Sequence, residues 1–387
     1  MPSIALTALS ALVAVLGAEW IAGEFARDPA QREAARLGIG WDSRDRLEVI
    51  MDKRQADPNW FPAIPANTYL ERPILLEGKR IVPLGGVANA HVVGCNENGY
   101  YSTFSTDERG LNNPAVHGAP PNQRVFFLGD SFTQGDCLRP GETLVDRVRS
   151  VRPDIVNLGS GGNGPLFQLA GIREYIESGE VHVALWMYYE GNDLDDLVRD
   201  SGDAILIRYL DKAFSQGLAP RQAEVNAAVR AMVEGRLHER WLGRSRVLPN
   251  LRNLLWQVRQ QVGGRLEASR DAAQGSSDAT SSVALFLEVI ALARDEVAEK
   301  GGTLLFVYLP EYQRYSWGQL SKGARQRDAV LTGVRKLGIP VVDIDEAFRR
   351  QPEPLDHFPL GLKGHYDADG AAVASRAILV ALEAARI

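Results

Sequence analysis

The chain is expected to fold as an α/β protein, a three-layer α/β/α sandwich around a mainly parallel five-stranded sheet. Three observations predict it. Short, unbroken apolar runs recur between residues 124 and 344, stretches with helical spacing separate them, and polar or glycine-rich turns follow several of them. A parallel strand is covered on both faces, so it reads as a continuous apolar run, and the crossover between parallel strands is usually a helix.

Taken in order, Arg124–Leu128 (RVFFL) is the first strand and residues 142–150 the first helix. Residues 154–159 (DIVNLG) hold a second strand, and a helix runs from about 165 to 178. Val181–Tyr189 (VHVALWMYY) is the third strand. The pattern then breaks for residues 194–280, too long for a bare connection in a compact domain, so a helical insertion is expected there. It resumes with a helix at 282–300, where Val283, Phe286, Leu287, Ile290 and Val297 share one face. Thr303–Leu309 (TLLFVYL) is the fourth strand, 321–337 a helix, residues 340–344 (PVVDI) the fifth strand, and 369–385 the last helix.

Ahead of this unit lie two other segments. Residues 24–123 form an N-terminal extension: a charged helical part, then scattered Pro, Gly and Asn with a few short strands. Residues 1–23 carry an uncharged apolar run from Ser3 to Ala18, interrupted by Glu19, with no Lys or Arg before Arg27. An N-terminal apolar helix that is either a membrane anchor or a signal segment is expected there.

Composition narrows the function. Forty-three Lys and Arg against 49 Asp and Glu give a net charge of -6, which does not suit a nucleic-acid binder. Two cysteines, Cys95 and Cys137, rule out a disulfide-rich scaffold and a four-cysteine zinc site. Whether they pair or remain thiols is open at this stage. No His, Cys or Asp cluster has metal-ligand spacing, and no cofactor or metal is expected.

In a parallel α/β sheet, ligands gather beyond the carboxyl ends of the strands. Strand one is followed by Gly129-Asp130-Ser131-Phe132-Thr133-Gln134-Gly135, where a serine in a strand-to-helix turn can present its hydroxyl beside the free N–H groups of the helix start. Strand two is followed by Asn157-Leu158-Gly159-Ser160-Gly161-Gly162-Asn163-Gly164, whose glycines let backbone amides approach a ligand closely. Strand three is followed by Glu190-Gly191-Asn192-Asp193, and a side-chain amide there can donate to a developing oxyanion. Before the last helix stands Lys363-Gly364-His365-Tyr366, with one of only six histidines in the chain.

These four blocks, in this order, resemble those of the SGNH (GDSL-type) hydrolase family over residues 124–193 and 282–387. The resemblance implies a flavodoxin-like sheet, an ester-cleaving or acyl-transferring serine enzyme, and roles for particular residues. Ser131 maps onto the nucleophile and His365 onto its base. Ser131, Gly162 and Asn192 map onto the oxyanion hole. Asp130 is expected to brace the turn. The segment Thr106–Asn113 (TDERGLNN) is similar to one found upstream of the serine in envelope-anchored bacterial members. That likeness implies a membrane-anchored or secreted protein of the bacterial cell envelope, acting on an ester-bearing small molecule or an acylated polysaccharide. One position departs from the pattern. The family usually carries an acid three residues before the histidine, where this chain has Leu362. Asp356 is the candidate acid in the same loop, with Asp367 and Asp345 as alternatives.

The insertion carries a charge of its own. Residues 221–270 hold ten Arg and four Glu, and Leu251, Leu254, Leu255, Val258 and Val262 make one helical face. A helical cap with a basic side is expected, overhanging the site and suited to an anionic membrane surface or anionic glycan.

Overall fold

The structure is a computed structural model that describes residues 13–19, 21–23, 28–114, 124–242 and 277–385. Five strands form the central sheet: β6 (Arg124–Leu128), β7 (Ile155–Asn157), β8 (Val181–Tyr189), β9 (Thr303–Leu309) and β10 (Val341–Asp343). They lie in the order β10-β9-β8-β6-β7 and every pairing is parallel. In the sheet's own sequence order this is 2-1-3-4-5, the flavodoxin-like doubly wound topology. Leu185 at the centre of β8 is flanked by Phe127 of β6 and Leu305 of β9.

The apolar runs bury both faces. Along β8, Ala184, Trp186 and Tyr188 point into one core, with Phe167, Phe286 and Val330 from the helices Pro165–Tyr175, Ser277–Glu299 and Arg327–Lys336. Val183, Leu185 and Met187 point into the other, with Val148, Phe348 and Ile378 from Leu144–Val151, Ile344–Arg349 and Ala368–Ala384. This two-residue alternation between two covered faces is why β8 is aliphatic or aromatic at every position after His182. The expected helix at 321–337 is two helices, Lys322–Arg325 and Arg327–Lys336, divided at Gln326.

The extension builds a small sheet and a hairpin. Strands β1 (Trp60–Pro62), β4 (His91–Val93) and β5 (Thr103–Ser105) form a three-stranded sheet in the order β1-β4-β5, and β2 (Ile74–Leu76) pairs antiparallel with β3 (Lys79–Ile81). Its helix Arg46–Lys53 starts with a capping box, in which the Asp45 side chain accepts from Glu48 N–H and the Glu48 side chain accepts from Asp45 N–H. The extension has no separate core, because its Val49, Ile50, Phe61, Tyr69 and Val93 belong to the same buried cluster as Phe126 and Trp186.

The insertion is helical where it is described, with Asp193–Ser201 followed by two short 3-10 turns and the long helix Gln222–Leu242. That helix buries Val225, Val229, Val233 and Leu237, four residues apart on one face. It clasps the extension: Arg54 pairs with Glu234 at 2.9 Å, Asn226 Nδ2 donates to the Glu108 carbonyl, and Arg230 donates to the Ala88 carbonyl. Most of the basic segment, including the apolar face at 251–262, lies outside the described residues, as do residues 1–12 of the N-terminal apolar run. Among the described residues no helix is long and apolar enough to cross a membrane.

Candidate active site

The topology reverses between β6 and β8, and a crevice opens beyond their carboxyl ends. Ser131 follows β6 and Asn192 follows β8, so both expected positions arrive at this switch point. Ser131 is the first residue of the short helix Ser131–Gln134. Asp130 caps that helix: its Oδ1 accepts from Phe132 N–H at 3.0 Å and its Oδ2 accepts from Asn192 Nδ2 at 3.2 Å. One buried carboxylate therefore fixes the serine turn and aims the Asn192 amide beside it, the bracing expected of Asp130.

The histidine comes from the far end of the chain. His365 precedes the helix Ala368–Ala384, whose start is capped by Asp367 accepting from Gly370 N–H. Its Nε2 lies 2.8 Å from Ser131 Oγ across 234 positions of sequence. Phe132 walls the imidazole at 4.9 Å between ring centroids, and Phe132 in turn stacks on Tyr189.

The carboxylate on the other side of the ring is Glu97, from the extension. Its Oε1 lies 3.0 Å from His365 Nδ1, and its Oε2 accepts from the His365 backbone N–H at 2.9 Å. Two contacts from one carboxylate fix both the ring and the backbone that carries it. Gly364 makes room for this, since a Cβ there would stand 2.7 Å from Glu97 Oε2. The expectation for Asp356 is corrected: it lies exposed in the turn Pro354–His357, and the position at Nδ1 is filled by Glu97. Asp345 is bound to Tyr315 and Arg349, and Asp367 is spent as a helix cap.

A disulfide ties this acid to the serine turn. Cys95 and Cys137 are bonded, with Cα atoms 4.8 Å apart and 42 positions between them in sequence. Glu97 follows one half-cystine by two residues and Ser131 precedes the other by six. The Asn98 side chain adds a bond to the Cys137 carbonyl at 3.1 Å. Cys137 Sγ sits 3.7 Å from His365 Nδ1, and because the sulfurs are joined to each other they offer no thiolate to a metal there. The segment 106–113 is a second brace. Asp107 accepts from the N–H groups of Arg109 and Leu111 and from Asn113 Nδ2, and Asn112 and Asn113 donate to the carbonyls of Gln134 and Asn157.

The glycine loop after β7 completes the crevice. Gly161 N–H is taken by Gln134 Oε1, and the Gly161 carbonyl accepts from Ala66 N–H at 2.7 Å. Gly162 has φ +73°, which glycine adopts without strain, and an added Cβ would meet Asn67 and Pro65 at 3.0 to 3.3 Å.

Charge sets the resting state of the ring. Burial alone pushes His365 down, but the Glu97 bond and the charges of Glu97, Asp136 and Asp130 outweigh it and raise the imidazole from 6.5 to about 9. Burial raises Glu97, and its contacts with His365 outweigh that and hold it below its ordinary value. Asp130 and Asp136 are both pushed up to about 6, chiefly by burial. A hydroxyl, an imidazole and a carboxylate in line, beside helix-start and loop amides, can generate an alkoxide nucleophile and stabilise the anion formed by its attack.

No known family model matches the sequence, and no curated protein matches it. Among solved structures, the chain is similar to a member of the lipolytic G-D-S-L family from Veillonella parvula at 10% identity, covering 67% of this chain and 97% of that one, with a TM-score of 0.36. It is similar to a lipase/acylhydrolase from Enterococcus faecalis at 13% identity, covering 68% and 96%, with a TM-score of 0.37. It is likewise similar to an extracellular lipase from Streptomyces rimosus at 13% identity, covering 67% and 99%, with a TM-score of 0.32. Any functional reading of the chain rests on its own side-chain geometry.

Proposed function

We propose that this chain is a serine hydrolase of carboxylic esters, with Ser131 as nucleophile, His365 as base and Glu97 as the acid that orients it. The single observation that carries the reading is the line of contacts from Ser131 Oγ to His365 Nε2 at 2.8 Å and from His365 Nδ1 to Glu97 at 3.0 Å. In the neutral ring, Glu97 holds the proton on Nδ1 and leaves Nε2 free to accept from the serine. Ser131 Oγ then attacks the ester carbonyl while its proton passes to Nε2. The carbonyl oxygen becomes an oxyanion held by the N–H groups of Ser131 and Gly162 and by the Asn192 amide. The imidazolium returns the proton to the departing alcohol, leaving an acyl-serine. Water, deprotonated by the same ring, releases the acid and restores the serine.

The same acyl-serine can be resolved by a sugar hydroxyl instead of water, which makes an O-acyltransferase the second reading. The substrate we infer is an O-acyl group, and the segment 106–113, whose likeness is to envelope-anchored proteins, favours a cell-surface polysaccharide as its carrier. A disulfide at the active centre suits an extracytoplasmic location, since such bonds persist in oxidising compartments.

Labelling with a fluorophosphonate tests the chemistry. The wild type is expected to take up one equivalent and Ser131→Ala none, with turnover of p-nitrophenyl acetate lost in parallel. A Ser131→Ala protein that still labels and turns over would overturn the assignment. Adding a sugar acceptor separates hydrolysis from transfer.

A further inference from the structure

Beside the glycine loop, Arg46, Arg236 and Arg240 line one cleft, its floor formed by Pro62 and Leu237. One part of it encloses a cavity of about 250 Å³. Arg46 opens the helix Arg46–Lys53, while Arg236 and Arg240 stand four residues apart, on one face of Gln222–Leu242. Among the described residues none of the three has a hydrogen bond or an ion pair, whereas arginines close by do. Arg54 pairs with Glu234, Arg44 with Asp42, and Arg230 donates to Asn59 and to the Ala88 carbonyl. The carboxylate in the cleft lining, Asp45, is engaged as a helix cap. Asp136 acts on Arg46 from the active-site side, and Glu71 acts on Arg236. Burial, together with the repulsion of neighbouring guanidiniums, makes Arg46 and Arg236 easier to deprotonate than usual. Like charges gathered without partners cost stability, so their grouping in a concave wall calls for an anion.

The cleft adjoins the proposed chemistry. Ile64 and Pro65 form its wall, and Pro65 lies 3.3 Å from where a Gly162 Cβ would stand. Ala66, the next residue, donates to the Gly161 carbonyl at 2.7 Å. Pro65 therefore both lines the cleft and packs beside the loop that carries Gly162. We propose that this cleft is a substrate subsite for an anionic substituent, such as the carboxylate of a uronic-acid sugar, carried by the molecule whose ester is cleaved. It rests on the hydrolase reading for the ester and on the cleft alone for the anion. Planar, forked donors suit a carboxylate held by two parallel bonds.

The test uses the full chain and two esters, p-nitrophenyl acetate and an O-acetylated oligo-glucuronate. In Arg236→Gln/Arg240→Gln, the ratio of kcat/KM for the uronate ester to that for the neutral ester is expected to fall by about tenfold or more, through KM. Arg236→Lys/Arg240→Lys keeps the charge and loses the fork, and should fall between. In the wild type the same ratio should drop as salt rises from low to high ionic strength, without any substitution. A ratio unmoved by both the glutamine pair and by salt overturns the subsite. So does an unmoved ratio combined with loss of pelleting on phosphatidylglycerol vesicles, which would assign the arginines to a membrane surface instead. Calorimetry of glucuronate binding to Ser131→Ala needs no turnover. Binding there that the glutamine pair weakens, together with a wild-type chain that cleaves neither ester, would refute the hydrolase reading and leave the subsite standing.

Discussion

The two ends of the hydrogen-bonded line through His365 are anchored in different ways. Ser131 and Asn192 leave β6 and β8, strands buried on both faces and paired along their length. Glu97 sits in the loop between β4, the short middle strand of the three-stranded sheet, and β5. That loop is held by the Cys95–Cys137 bond and a few tethers, among them Asn96 to the Asp42 carbonyl, Asn98 to the Cys137 carbonyl, and Asp42 N–H to the Gly99 carbonyl. The proposed nucleophile and the Asn192 amide thus follow strands of the sheet, while the proposed acid is delivered by tertiary ties. Closing a loop of 42 residues removes enough freedom from the unfolded chain to stabilise the fold by about 4 kcal/mol in the loop-entropy treatment. What holds the acid in place is therefore concentrated in a few replaceable contacts, whereas what holds the serine is spread over two cores.

This contrast can be broken from either end. Replacing the nucleophile is expected to matter most: Ser131→Ala should cost on the order of 10⁶-fold in kcat for ester hydrolysis. Stopped assays with p-nitrophenyl acetate measure it, and residual turnover within a hundredfold of wild type would remove Ser131 from the mechanism. Glu97→Gln should cost up to about 10⁴-fold, because the amide no longer fixes the ring's tautomer. It carries a sharper signature as well. With His365 raised to about 9, wild-type kcat/KM should climb with pH until about 9, and the limb should move to lower pH in Glu97→Gln. The same shift has a stability consequence of definite sign. The raised pKa adds stability that is full below about 6.5 and fades as pH rises through about 9, which denaturant titrations at the two extremes would reveal. An Asp356→Asn variant serves as the control, and a loss as large as that of Glu97→Gln would contradict the geometry.

Asn192→Ala should lower kcat by about 10²- to 10³-fold with KM nearly unchanged, the cost of one oxyanion donor. The smallest effect belongs to the tether. Reduction of the bridge, or Cys95→Ala/Cys137→Ala, should lower kcat by about ten- to a hundredfold through misplacement of Glu97, and should leave fluorophosphonate labelling of Ser131 detectable. Equal kcat in oxidised and reduced protein would show that the noncovalent ties suffice.

How much of this could be read in advance follows the same division. All five strands of the main sheet were legible because parallel pairing demands continuous apolar runs, as in Val181–Tyr189. The meeting of Ser131 with Asn192 was legible because sheet topology brings the ends of β6 and β8 together, and that of Ser131 with His365, which follows no strand, through the resemblance of its block. Glu97 was not, since the acid expected near His365 comes instead from residues whose local pattern, GCNENGY, reads as a turn. The signal that could have found it was the pairing of the two cysteines. Once Cys95 is bonded to Cys137, six residues after the nucleophile, a glutamate at 97 must lie beside the serine turn. The split of the 321–337 helix at Gln326 was also hidden, because neither Gly nor Pro stands at the break.

The bridge has one more consequence, for the chemistry of detection. The chain contains two cysteines and both are consumed in this bond. Folded, oxidised protein thus presents no thiol to compete for electrophiles, and an adduct formed by a phosphonylating reagent carries no sulfur background. Iodoacetamide uptake then becomes a direct gauge of how many molecules have lost the tie between residues 95 and 137, read in the same sample and on the same scale as the serine adduct.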